Sequence, residues 1–79
     1  MNRVTTESGA VYEFSDDYTK LRRNNPDAPL RKDGEWLECV NTPEPRVGLG
    51  MDILIRGIVD EPGVTIRRTT PVVAIEVVE

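Results

Sequence analysis

The sequence predicts an all-β domain: a small barrel or sandwich of six to seven short antiparallel strands. Three observations carry this. Apolar and polar residues alternate with a period of two in several short windows, the pattern of a half-buried strand. Prolines and glycines recur every 8–12 residues or so, the punctuation of an all-β chain. No window sustains apolar residues at the i, i+3, i+4, i+7 spacing of an amphipathic helix.

The elements follow in order. Val4, Thr5 and Thr6 favour extended backbone, because branching at Cβ restricts χ1. Ser8-Gly9 signals a turn, since glycine accepts positive φ at no steric cost. Arg3 to Glu7 and Ala10 to Ser15 therefore read as a hairpin, with Val4 and Thr6 sharing one face and Ala10, Tyr12 and Phe14 sharing another. Asp16-Asp17 marks the next turn. Tyr18 to Arg23 reads as a third strand, half exposed, with Tyr18, Lys20 and Arg22 alternating against Thr19, Leu21 and Arg23.

Asn24 to Gly34 reads as a loop. Pro26 and Pro29 cannot donate to a ladder, and the paired Asn and Asp33-Gly34 are turn formers. Its length in so short a chain marks it as a candidate functional segment. Glu35 to Val40 resumes the strand pattern, with Trp36, Glu38 and Val40 on one side and Leu37 and Cys39 on the other. Leu49 to Ile55 aligns Leu49, Met51, Ile53 and Ile55, and Gly48 and Gly50 read as a bulge or tight bend. Asp60 to Gly63 is a turn cluster, Val64 to Thr69 a strand, and Pro71 a break before Val72 to Val78. In that last run Val73, Ile75 and Val77 face one way and Val72, Ala74 and Val78 the other. A strand apolar on both faces is expected to be covered on both, which in this chain points to a homodimer interface.

Composition bounds the function. Seventy-nine residues make a single domain, 1–79. Its core supplies a net stability on the order of 3–5 kcal/mol. The lone Cys39 has no partner for an internal disulfide and reads as a small buried hydrophobe. With no histidine, Cys/His zinc sites, Ser-His-Asp triads and Cys-His pairs are excluded. Nothing in the spacing of Glu13, Asp16, Asp17, Glu35, Glu38, Asp52 and Glu61 selects a catalytic pair. "VGLGMD" lacks the third glycine of a dinucleotide loop and the lysine of a P-loop. No enzyme activity, cofactor or metal is expected. The single cysteine and the absence of an apolar leader predict a cytoplasmic protein, with no membrane segment.

"RVTTESGAVYEF" near the start and "IRRTTPVVAIE" near the end resemble small uncharacterised proteins of bacteriophages that infect actinobacteria. The resemblance implies a phage origin, an all-β fold and a setting in the host cytoplasm. It carries over no catalytic residue. The turn at Pro71 leading into an apolar strand also resembles the end of SH3-like barrels, an analogy of shape alone.

Binding is the function class that remains. The first expectation is a protein-binding module acting on a host or phage partner. Trp36 is its anchor, since Trp and Arg are enriched at interface hot spots, and Asn24, Asn25, Arg31 and Lys32 are its recognition residues on the loop. The alternative is a single-stranded nucleic-acid binder using Lys20, Arg22, Arg23, Arg67 and Arg68, with Tyr12, Tyr18 and Trp36 as stacking faces. The net charge of −4 opposes it. A third reading is a minor structural or assembly component of the virion.

Overall fold

The computed structural model describes residues 1–30, 32–58 and 63–78. Among the described residues seven strands run in chain order: β1 (Asn2–Thr6), β2 (Val11–Phe14), β3 (Lys20–Asn24), β4 (Leu37–Cys39), β5 (Asp52–Arg56), β6 (Val64–Arg68) and β7 (Val72–Val77). They form one antiparallel sheet in the order β6-β5-β4-β3-β2-β1-β7. β1 to β6 make a meander of sequential neighbours. β7 instead pairs with β1 at the far edge.

That placement curls the sheet. Thr69, Thr70 and Pro71 alone separate β6 from β7, and the four steps from Arg68 to Val72 span at most about 14 Å. A flat sheet would hold its first and seventh strands about 29 Å apart. The edges must therefore approach each other, and the concave face encloses one cluster: Val4, Ala10, Tyr12, Phe14, Leu21, Cys39, Met51, Ile53, Ile55, Ile58 and Val72. β6 and β7 are not neighbours in the ladder, so the sheet is barrel-like without being closed. The β4–β5 connection straps the gap. Val47 bridges Val72, Gly48 N donates to Val72 O, Val72 N donates to Leu49 O, and Thr69 N donates to Met51 O.

The period-two reading holds for the inward face of each early strand. Val4 and Thr6, Tyr12 and Phe14, Leu21 and Arg23, and Ile53 and Ile55 are buried. Cys39 is buried as expected, and its burial raises the thiol pKa. Asn41 extends the short β4 with its side chain: Nδ2 donates to Asp52 O, and Oδ1 accepts from Leu54 N.

Three expectations change. Tyr18 belongs to a turn, with φ at 60° and its N–H bonded to Ser15 O, and its ring lies 5.0 Å from that of Phe14. Leu49 is exposed, because the chain is still crossing toward Val72 and joins β5 only at Asp52. The last strand is not covered on both faces within the chain. Val72 alone is buried, and Val73, Ile75 and Val77 are exposed. The turn expected at Asp60 to Gly63 lies, except for Gly63, outside the described residues.

The outer face carries a ladder of alternating charge. Arg3 of β1 lies between Glu76 of β7 and Glu13 of β2, and Glu13 lies opposite Arg22 of β3. The contacts are 3.5 Å, 3.3 Å and 2.7 Å in turn. The Arg22 hydrogen bond, aided by Arg3, holds Glu13 below its ordinary value of 4.5 despite partial burial. In the β2–β3 turn, Asp17 accepts from Thr19 Oγ1, Ser15 Oγ and Thr19 N, which lower it from 3.8 to about 2.

Both carboxylates are depressed in the folded state, so their stabilisation is present above their unfolded values. It is lost as pH falls through 4.5 and 3.8 toward about 2. Thermal melts across that window should show a falling midpoint, and Glu13→Gln should flatten the upper part of the slope. A second expectation concerns the corner. A Cβ on Gly50 would lie 2.6 Å from the Thr69 carbonyl oxygen, a backbone atom with no side-chain freedom to yield. Gly50→Ala should cost about 1–3 kcal/mol in urea unfolding, the usual range for overpacking.

Candidate functional site: an arginine-lined pocket and an open sheet edge

The structure distributes the basic stretch among separate environments. Arg22 stands in the outer ladder, and its guanidinium lies 4.8 Å above the Trp36 ring. Trp36 is 46% exposed and sits outside the core. It shares a shallow groove with Thr19, Lys20, Leu37 and Glu38. Lys32 Nζ donates to Gly57 O. Arg31 lies outside the described residues.

Arg23 turns inward, as the alternation of β3 requires. Its side chain is 7% exposed and meets Asp33 Oδ2 at 2.5 Å. Asp33 Oδ1 lies 3.8 Å from Arg67 Nη1, so the buried Arg23 and the partly buried Arg67 flank one carboxylate. Arg23 Nη2 also donates to Ala28 O, Leu30 N donates to Asp33 Oδ2, and Gly34 N donates to Arg23 O. The loop expected to recognise a partner is thus wrapped around a buried charge. Asn25 is buried and its Oδ1 accepts from Asp27 N, while Asn24 and Lys32 remain at the surface. The five basic residues of the nucleic-acid reading do not form one strip. Lys20 and Arg22 lie by Trp36, Arg23 and Arg67 lie around Asp33, and Arg68 is exposed 3.3 Å from Asp52.

Above the Arg23–Asp33–Arg67 group opens a cavity of about 260 Å³. One wall is Thr6, Ser8, Ala10 and Tyr12; the other is Arg67, Arg68, Thr69 and Thr70; Arg23 and Leu30 complete it. The two end motifs singled out in the sequence therefore face each other across one pocket. They are also tied directly, by Ser8 N to Thr70 Oγ1 at 3.0 Å and Glu7 N to Pro71 O at 2.9 Å.

The second feature is the free side of β7. Met1 and Val78 exchange hydrogen bonds in both directions. In an antiparallel ladder such pairs alternate, so Glu76 and Ala74 point their backbone groups at β1. The N–H and C=O of Ile75 and Val77 point away from the sheet. Their side chains are 39% and 74% exposed, on the same face as Val4. A register shift between Thr5 and Thr6 leaves Val73 as the extra residue of a bulge, also exposed.

Among the described residues, no group of three or more His, Cys, Asp or Glu side chains could hold a metal ion. No helix among them is long and apolar enough to cross a membrane. Compared with known proteins, the chain matches no family model, no curated protein and no solved structure. Sequence reasoning missed Asp33 as a structural charge. Its only signal was an isolated acid at the end of a basic stretch.

Removing Asp33 should show what it holds. Asp33→Ala leaves two guanidinium groups without their shared carboxylate, and breaking such a pair costs about 3–5 kcal/mol, comparable to the entire stability of a domain this size. Circular dichroism should report an unfolded or barely folded chain. Glu76→Ala removes an exposed partner of Arg3 and should cost no more than about 1 kcal/mol.

Proposed function

We propose that this chain is a non-catalytic protein-interaction domain whose binding surface is the open edge of β7, and that its first partner is a second copy of itself. The observation that carries this is the row of outward backbone groups at Ile75 and Val77, flanked by exposed aliphatic side chains. Such an edge is a template for another strand.

Self-pairing fits the side chains. An antiparallel β7 pair with its two-fold axis at Ile75 sets Ile75 opposite its copy and Val73 opposite Val77. Glu76 then falls opposite Ala74, whereas an axis at Glu76 would oppose two like charges across the pair. The outward hydrogen-bonding groups of Ile75 match the first register. Each copy would thereby gain the second support that a core this small needs. The setting we propose, from the resemblance of the two end motifs, is the cytoplasm of a phage-infected actinobacterial cell.

Light scattering coupled to size exclusion tests the reading. The wild-type chain should run as a dimer at high concentration and dissociate on dilution. Ile75→Pro removes only an outward N–H, which an edge strand tolerates. It should give a folded monomer with an unchanged circular-dichroism spectrum. Glu76→Pro removes a donor aimed at β1 and should destabilise the fold itself. A wild-type chain that stays monomeric at the highest soluble concentration overturns the proposal.

A further inference from the structure

We propose that Glu13 controls the exposed Trp36 surface through Arg22. The ionised carboxylate holds the Arg22 guanidinium over one face of the indole ring, and its protonation releases that cover. Glu13 is thus a positioning residue for a surface it does not touch, and the device does not depend on pairing at the β7 edge.

Arg22 has two neighbours on the outer face. Its Nε donates to Glu13 Oε1 at 2.7 Å, and its guanidinium carbon lies 4.8 Å from the centre of the Trp36 ring. The two contacts are unequal. A cation–π contact at an exposed site is weak against the rotamer freedom of a long side chain. A hydrogen bond between ionised groups is roughly twice as strong as a neutral one. The bond to Glu13 therefore fixes where the guanidinium sits, and the indole receives it there.

The charges around Glu13 set the direction of the switch. Arg22 faces it from β3 and Arg3 faces it from β1 at 3.3 Å, while Arg3 also reaches Glu76 of β7 at 3.5 Å. Lys20 lies one outward position along β3, opposite Glu38 of β4. The Arg22 hydrogen bond, aided by Arg3, keeps Glu13 ionised below its ordinary 4.5, so the cover is in place at neutral pH. As the pH falls below 4.5 the carboxyl takes a proton and its bond to Arg22 becomes the weaker kind. Arg3 and Arg22 then lose the anion between them, and their mutual repulsion favours the release of Arg22 to solvent. The ring face that Arg22 covered opens to water beside the groove of Thr19, Lys20, Leu37 and Glu38. A charge change at one partly buried carboxyl thereby resets an exposed aromatic surface.

Trp36 is the sole tryptophan of the chain, so its fluorescence reads the contact directly. At neutral pH, Glu13→Gln should shift the emission to longer wavelength and raise its quenching by acrylamide. Arg22→Gln should do the same, and the double variant should do no more than either single one, the mark of two residues acting in one chain of contacts. Glu38→Gln removes a carboxylate beside Trp36 and should leave the emission as it is in the wild type. The wild-type chain needs no substitution to show the effect: acidification should produce the same shift, with a midpoint below 4.5 and ahead of acid unfolding followed by circular dichroism. A natively folded Glu13→Gln with wild-type emission overturns the proposal. So does a double variant whose shift is the sum of the two single shifts, or a wild-type emission that stays flat until the chain unfolds.

Discussion

Three residues hold the two ends of the sheet within reach of each other, and most of the molecule follows from that. Thr69, Thr70 and Pro71 are too few to let β6 and β7 lie at opposite sides of a flat sheet. The sheet must curl, and the curl gives so short a chain one enclosed core in place of two thin faces. Each residue of the corner has its own tie: Thr69 to Met51 through backbone and side chain, Thr70 to Ser8, Pro71 to Glu7. Gly50 is where the strap passes closest, directly beneath the Thr69 carbonyl.

The same closure decides where charge is buried. Near the corner the concave end takes polar side chains as well as aliphatic ones. Thr65 and Arg67 of β6 lie opposite Ile55 and Ile53, so β6 turns polar residues toward the interior. Arg23 arrives there from β3, and the loop that follows β3 bends back to deliver Asp33 between them. A buried charge group of this kind costs desolvation that its ion pairs only partly offset. In this chain Arg23 and Arg67 of that group also line a pocket.

Much of the fold was legible because alternation maps directly onto burial. Val4, Tyr12, Phe14, Leu21, Cys39, Ile53 and Ile55 follow the period of two and lie inside. Strand ends were less legible where a turn borrows a strand-like residue, as Tyr18 shows with its positive φ and its ring on Phe14. The pocket was less legible still. Its walls come from Thr6–Tyr12 and Arg67–Thr70, stretches separated by more than fifty residues, and no local pattern announces that a β1–β7 pairing brings them together. The end motifs did stand out as text, but composition could assign them only turn and register roles. The loop was read the other way round. Asn25 and Asp33 look like solvent-facing turn residues, yet Asn25 is buried and the buried Arg23 holds Asp33.

An open edge raises the question of whether the proposed pairing would close or would polymerise. Pairing β7 of one copy with β6 of the next would be heterologous and would build an open filament. The two edges are unlike. β6 carries Arg67 turned toward Asp33 and Arg68 at the surface beside Asp52, and charged side chains on an edge strand oppose foreign pairing. β7 carries Glu76 as its single charge, among Val73, Ala74, Ile75 and Val77. Pairing with β6 would strip water from the Arg68–Asp52 pair, a cost that the ion pair only partly offsets. β6 also exposes Val64 and Ile66 beside its two arginines. The proposed pairing of β7 with its own copy would use the same patch on both chains and so would stop at two. In the dimer we propose, the two-fold use of one patch is what would turn a hazard of sheet proteins into a closed interface.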